Sequence, residues 1–137
     1  MAEFIHGNQS IHYELAGVRE FRLRTPVLLL HGNGEDMHIF DNMIAPLLGA
    51  KGFVLMDSRM QGESFSLDGG GEISYSAMAD DAAALMDELG INEYDIVGYS
   101  DGGIIALLMA MKSFKVRRFF TIGANTDPSG SVSYTHL

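Results

Sequence analysis

Four apolar runs of strand length constrain the fold of this 137-residue chain more than any other feature. Each run ends at a glycine, an aspartate or a tyrosine, and the four are PVLLLHG (26–32), FVLMD (53–57), YDIVGY (94–99) and VRRFFTIG (116–123). Runs that are apolar on both faces are typical of strands buried inside a parallel sheet. The chain is therefore expected to bury several strands between covering layers.

Helical patterns alternate with these strands. Between Tyr75 and Leu89 the apolar residues recur at steps of three and four, with Asp80 and Asp81 mainly off the apolar stripe, and Gly90 supplies a stop. A shorter helix, interrupted near Pro46, is predicted over 40–48. The run 104–111 is apolar nearly all round, which predicts a helix buried on most sides.

An antiparallel hairpin is predicted to precede the alternating elements. Two β-like runs, 3–6 and 10–15, are separated by Gly7-Asn8, a favourable turn sequence. The order predicts an α/β protein with a mixed, mainly parallel sheet of about six strands, covered on both faces. Residues 1–123 are expected to form this core, with an irregular tail over 124–137.

Composition narrows the range of partners. The formal net charge of −9, with nine scattered basic residues, argues against a nucleic-acid partner. The absence of cysteine excludes disulfides, thiolate chemistry and cysteine metal sites. No apolar run has the roughly 20 residues needed to cross a bilayer, and the first residues do not read as a secretory signal. We therefore expect a cytoplasmic protein with no membrane-spanning segment.

The motif Gly98-Tyr99-Ser100-Asp101-Gly102 carries the strongest chemical signal. It fits G-x-S-x-G, and it follows a buried strand and opens a buried helix, which is the setting of a nucleophile elbow. Glycine two residues before and after the serine relieves crowding in so sharp a turn. An ordinary structural turn is the competing interpretation. The flanking strand and helix favour Ser100 as a nucleophile.

Two further loops follow the first two buried strands. A tight turn at His31-Gly32-Asn33-Gly34 can supply one backbone N–H of an oxyanion hole, at Asn33, and Asp101 can supply the other. His31 is expected to organise this loop through hydrogen bonds rather than act as the general base. The loop DSRMQGES (57–64) is interpreted as scaffold, although a catalytic role is equally compatible with its residues.

These three loops, in this order, resemble the α/β-hydrolase fold, and in particular its serine branch of esterases, lipases and related peptidases. HGNG is similar to the family's oxyanion loop, and GYSDGG is similar to its elbow. DSRMQGES is similar to D-x-R-G-x-G-x-S but departs from it at Met60, where glycine is usual. Serine at position 100 argues against the dehalogenase and epoxide-hydrolase branches, which use aspartate there.

The resemblance implies hydrolysis of a small-molecule ester, thioester or amide through an acyl-enzyme on Ser100, without cofactor or metal. It also implies that a triad acid and a histidine follow the nucleophile. Downstream of Ser100, the only acidic residues are Asp101 and Asp127, and the only histidine is His136. Asp101 lies in the elbow itself, Asp127 is interpreted as a loop cap, and His136 is next to the last residue.

The family's core sheet has eight strands, so the resemblance also implies that this chain is the N-terminal portion of a hydrolase. We expect it to be inactive by itself, because the acid and histidine belong to the two missing strands. The tail 124–137 is interpreted as the start of a cap segment or as non-native sequence, with residues 131–137 the most doubtful.

Two alternatives remain open at this stage. A lyase or a cofactor-free haloperoxidase of the same fold would carry the same elbow, and a non-catalytic ligand-binding member would keep the fold alone. A nucleotide-binding protein is disfavoured, because neither G-x-G-x-x-G nor a Walker A pattern follows any strand.

Overall fold

A seven-stranded mixed sheet organises the computed structural model, which describes residues 2–123. The strands are β1 Ala2–His6, β2 Gln9–Ala16, β3 Val27–Leu30, β4 Phe53–Met56, β5 Phe65–Ser66, β6 Tyr94–Tyr99 and β7 Val116–Ile122. The α-helices are α1 Asp41–Ile44, α2 Tyr75–Glu88 and α3 Asp101–Lys112. Short 3-10 helices cover Val18–Arg22, Met37–Phe40 and Ala45–Leu47.

The sheet order is β1-β2-β4-β3-β6-β7, with β5 paired to β2. Strands β4, β3, β6 and β7 are mutually parallel, whereas β1, β2 and β5 pair antiparallel. The predicted hairpin and the four predicted core strands are therefore confirmed. The two-residue strand β5 was not predicted, because its apolar content is too short to form a pattern.

Strand register brings the three loops of interest to one edge. Leu30 at the end of β3 pairs with Met56 of β4 and with Gly98 of β6. Since these strands are parallel, the residues that follow them leave the sheet side by side. This edge corresponds to the usual ligand-binding position of open α/β sheets.

Alternating residues of the central strands face two separate cores. Leu28 and Leu30 of β3 join the larger cluster, which includes buried residues of α2 and α3. Val27 and Leu29 face the opposite side, where they pack with Met37 and other apolar residues of the segment 37–44. Both faces of the sheet are therefore covered, as the continuous apolar runs predicted.

The helices differ from expectation in two ways. The helix predicted over 40–48 is only one turn of α-helix, flanked by 3-10 turns, and Pro46 lacks the N–H needed to continue it. Helix α3 is less buried than predicted, because Met111 is 74% exposed.

Helix α2 agrees with prediction: Ser74 caps it by accepting the Ala77 N–H. No helix within residues 2–123 has the length and hydropathy to span a membrane.

Asp81 corrects a prediction made from the helical pattern. It was placed mainly off the apolar stripe, yet it is fully buried. Its carboxylate accepts hydrogen bonds from Arg59 Nε at 2.7 Å and Arg59 Nη2 at 2.8 Å, and lies 2.7 Å from His6 Nδ1. The Asp81 hydrogen bond raises the pKa of Arg59 despite the opposing effect of burial. This cluster ties the loop after β4 to α2 and β1.

The loop 57–64 is braced from within as well. Asp57 accepts the backbone N–H groups of Met37 at 2.8 Å and Glu63 at 2.9 Å, one on each carboxylate oxygen. Ser64 donates its hydroxyl to the Asp57 carbonyl at 2.7 Å. These contacts fit the scaffold interpretation. Met60 has φ of 57°, a left-handed conformation that favours glycine, at the position where the sequence departs from the family motif.

The predicted tail over 124–137 lies outside the described residues, and so do Asp127 and His136.

Candidate functional site

Ser100 connects β6 to α3 in a strained conformation. It precedes the first residue of α3 and has φ of 55° and ψ of −118°, a region that side-chain-bearing residues rarely adopt. Its backbone N–H donates to the carbonyl of Ile122 at 2.7 Å, and its carbonyl accepts the N–H of Gly103 at 2.9 Å. Neighbouring strand and helix thus hold the strain in place.

The two flanking glycines are required by close backbone contacts. A Cβ added at Gly98 would lie 2.2 Å from the carbonyl oxygen of Gly102. A Cβ at Gly102 would lie 2.1 Å from the carbonyl oxygen of Leu30. Contacts this short with main-chain atoms cannot be relieved by rotating a side chain. The spacing of the G-x-S-x-G pattern therefore has the steric cause that the sequence suggested.

The loop after β3 passes directly beside Ser100. A Cβ added at Gly32 would lie 3.2 Å from Ser100 Cβ and 3.4 Å from the Tyr99 carbonyl oxygen. The 31–34 turn and the segment 98–102 are therefore in contact, because they follow strands that the structure shows to be adjacent and parallel. Asn33, the residue after Gly32, is exposed at this point.

His31 is committed to hydrogen bonds on both ring nitrogens. Nδ1 lies 2.6 Å from the Gly32 carbonyl oxygen, and Nε2 accepts the backbone N–H of Ser58 at 2.9 Å. With Nε2 accepting, Nδ1 carries the proton and donates it. The residue as a whole is 1% exposed. His31 therefore links the loops after β3 and β4, as its expected organising role requires, and has no free nitrogen for proton transfer.

A cavity of about 450 Å³ opens beside Asp101, the residue that follows the serine. Its lining includes Asn33 and Asp101, the two predicted oxyanion-hole residues, together with Ile73, Ser74, Tyr75 and Met78. The Tyr75 hydroxyl donates to Asp101 Oδ1 at 3.1 Å. Burial, followed by the hydrogen bond and charge of Asp101, raises the pKa of Tyr75. The Asp101 side chain is thus engaged by Tyr75, while its backbone N–H is at the helix N-terminus.

A second cavity, of about 360 Å³, opens beside Tyr99. Glu35 and Tyr99 line it together with Ile39, Phe40, Met43 and Ile122. Glu35 Oε1 accepts the Gly32 N–H at 3.0 Å, and the Glu35 N–H donates to the Gly32 carbonyl at 3.2 Å. Sequence reasoning missed Glu35, although its spacing of three residues from Gly32 is that of a closed turn.

No histidine within residues 2–123 is available as a base for Ser100. The four histidines of this range pair elsewhere: His6 with Asp81, His12 with Glu63, His38 with Asp41, and His31 with backbone groups. The Asp41 hydrogen bond raises the pKa of His38. Asp127 and His136, the downstream candidates, lie outside the described residues.

One side-chain cluster has ligand atoms close enough for a metal ion. His12, Asp57 and Glu63 each offer an atom, and these lie within 4.8 Å of one another. Both Asp57 oxygens already accept backbone N–H groups, and His12 Nε2 is 3.1 Å from Glu63 Oε2. The ligand atoms of this cluster therefore already have polar partners within the protein, and we assign it no metal.

The chain is similar to several solved hydrolase structures. It matches a thermophilic esterase from Thermogutta terrifontis at 27% identity, covering 89% of this chain and 43% of that one, with a TM-score of 0.78. It matches a hydrolase from Pseudomonas aeruginosa at 22% identity, covering 93% of this chain and 48% of that one, with a TM-score of 0.81. A structure titled as a putative epoxide hydrolase from Pseudomonas aeruginosa matches at 26% identity, covering 88% and 40%, with a TM-score of 0.74.

The chain spans less than half the length of each of these three structures. A family model described as alpha/beta hydrolase fold matches residues 25–135, which is most of the chain. This match agrees with the sheet order and with the three loops at the carboxyl edge of the sheet. The chain therefore belongs to the alpha/beta hydrolase fold family.

Proposed function

We propose that this chain supplies the nucleophile and the oxyanion hole of a serine hydrolase acting on a small acyl substrate. The single observation that carries the proposal is the backbone of Ser100, at φ 55° and ψ −118° before the first turn of α3. A strain of about 1–3 kcal/mol persists only where surrounding structure enforces it, and such strain concentrates at functional sites. Similarity to an esterase and other hydrolases supports the reaction class.

The chemistry follows from the placement of the groups. The Ser100 hydroxyl attacks an ester, thioester or amide carbonyl, its proton passes to a base, and the leaving group departs with a proton. Water then releases the acyl group. The backbone N–H groups of Asn33 and Asp101 stabilise the oxyanion, because both residues border the same cavity and the positive end of α3 lies there.

The base and its acid are proposed to belong to the strands that complete the fold in the solved relatives, of which this chain spans less than half. An elbow without triad partners typically loses about 10⁴–10⁶-fold in kcat. The 137-residue chain is accordingly expected to show no esterase turnover that depends on Ser100. The whole protein, with the remaining half of the fold, is expected to turn over.

Labelling with a fluorophosphonate probe tests this assignment. The 137-residue chain, its Ser100→Ala variant and the matched Ser76→Ala variant are compared, with a full-length homologous hydrolase as the positive control. Ser76 is an exposed residue on α2 and should have no influence. We expect slow or absent labelling of the chain. Rapid labelling that only Ser100→Ala removes would show that an activating base exists within these 137 residues.

A second measurement tests the strain itself. Ser100→Gly places the one residue that tolerates φ of 55° freely, so we expect it to raise the free energy of unfolding by about 1 kcal/mol. Ser100→Ala keeps a Cβ and should leave stability nearly unchanged. Equal stability of the glycine and alanine variants would contradict a strained elbow. A non-catalytic, ligand-binding protein of the same fold gives no reason to expect this strain, because ligand binding does not need a strained backbone at Ser100.

A further inference from the structure

We infer that the cavity beside Tyr99 is a subsite for an alkylated cation of the quaternary ammonium class. The inference deepens the proposed function, on which it rests for its claim that the occupant is part of the substrate of Ser100. The cavity of about 360 Å³ is within the range of small-ligand sites and holds one charged residue, Glu35.

Glu35 lies close to the proposed nucleophile. Its Oε1 is 2.5 Å, and Ser100 Cβ is 3.2 Å, from the same point, the position of a Cβ added at Gly32. Glu35 and Ser100 therefore both lie close to Gly32, and Tyr99, the residue before Ser100, lines the cavity. Within residues 2–123, only Oε1 of this carboxylate is hydrogen-bonded, to the Gly32 N–H. The turn thus fixes the carboxylate in place and leaves Oε2 for a ligand.

The other lining residues select the kind of cation. Two aromatic residues, Phe40 and Tyr99, share the cavity with the aliphatic and thioether side chains of Ile39, Met43 and Ile122. Aromatic rings together with a carboxylate are the surroundings that recognise alkylated ammonium groups. A primary ammonium or a guanidinium needs several acceptors to replace its hydration, and this lining supplies few.

Charge around the site disfavours anionic occupants. The two cavities lined by Tyr99 or Asp101, the neighbours of Ser100, have no lysine or arginine among residues 2–123 in their lining, whereas each is lined by one carboxylate, Glu35 or Asp101. The net charge of −9 adds a long-range field of the same sign. Substrates that carry a carboxylate or a phosphate near the reacting carbonyl are therefore expected to be rejected.

The test measures binding, so it does not depend on turnover. The 137-residue chain is labelled with ¹³C at the methionine methyl groups, and Met43→Leu assigns the Met43 signal. Three probes of matched shape are titrated: choline, 3,3-dimethylbutan-1-ol and 3,3-dimethylbutanoate. Met78, which lines the other cavity, and Met111, which is exposed on α3, are internal controls.

We expect choline to shift the Met43 signal saturably and to leave Met78 and Met111 in place. The neutral alcohol should bind about fivefold to tenfold more weakly, and the carboxylate should not bind. Glu35→Gln keeps the oxygen that accepts the Gly32 N–H and removes the charge. It should weaken choline binding by the same factor without changing binding of the alcohol.

Three results would overturn the inference: an unmoved Met43 signal, equal affinity for the cation and the alcohol, or unchanged choline affinity in Glu35→Gln. The outcome is separable from that of the proposed function. Choline binding in a full-length protein whose Ser100 resists fluorophosphonate would retain the cation subsite and refute the hydrolase. Labelling of Ser100 without choline binding would do the reverse.

Discussion

Replacing Asp81 by asparagine tests how the buried charge cluster stabilises the fold. The carboxylate is inaccessible to solvent and has three close contacts with charged or chargeable groups, two from Arg59 and one from His6. Asparagine has nearly the same shape but no charge and only one acceptor oxygen. Its NH₂ group would face one of the Arg59 donors, leaving a nearly buried guanidinium without its counter-charge.

The expected cost is about 3–5 kcal/mol, the usual consequence of removing one partner from a buried ion pair. Arg59 is 9% exposed, so solvent can compensate little. For a chain of this length, each kcal/mol lowers Tm by roughly 4 °C, which gives a fall of roughly 12–20 °C. Asp80→Asn is the matched control, because it makes the same charge change at the adjacent residue. Asp80 is exposed and 3.8 Å from Lys112 Nζ, so its change should stay within about 0.5 kcal/mol.

Urea unfolding of the wild-type chain and of the two variants, followed by circular dichroism, supplies the free energies. A difference below about 1 kcal/mol between Asp81→Asn and Asp80→Asn would refute the reasoning, since it would mean that water reaches the cluster. The double replacement Arg59→Met with Asp81→Leu removes both charges. It should recover a large part of the loss, because an apolar pair does not leave an unpaired charge.

Three further predictions concern stability. Gly102→Ala places a Cβ 2.1 Å from the Leu30 carbonyl oxygen and should cost about 1–3 kcal/mol in urea unfolding, whereas Gly49→Ala, with open space around it, should be neutral. Met60→Gly relieves a positive φ and should raise Tm by a few degrees, for about 0.5–1 kcal/mol; a lower Tm would contradict the strain. Burial tends to raise the pKa of Asp95, but hydrogen bonds and charge from two arginines of β7 lower it overall. The lowered pKa of Asp95 stabilises the folded state above about pH 4, and this stabilisation is lost as the pH falls through the pKa of the folded state. Wild type should therefore lose more stability than Asp95→Asn over that pH range.

Much of the candidate site could be predicted from the sequence because its determinants are local. The elbow needs a strand, a sharp turn at one residue and a helix in succession, and the glycines at 98 and 102 are dictated by contacts of that turn and of the adjacent strand end. The apolar runs likewise predicted the parallel strands, since a strand covered on both faces must be apolar on both. Parallel pairing then places the loops after β3 and β6 together, whatever their sequences.

Other features depend on contacts between distant parts of the chain, which no local pattern encodes. Asp81 is buried because Arg59 and His6, 22 and 75 residues away, converge on it. Glu35 gains its place beside Ser100 because β3 and β6 are neighbours in the sheet. The sequence alone therefore determined the fold class and the residue proposed as nucleophile, through sterics that act over a few residues. Only the tertiary structure decided which charges are buried and what lines the cavities beside Ser100, because burial is a property of the packed chain.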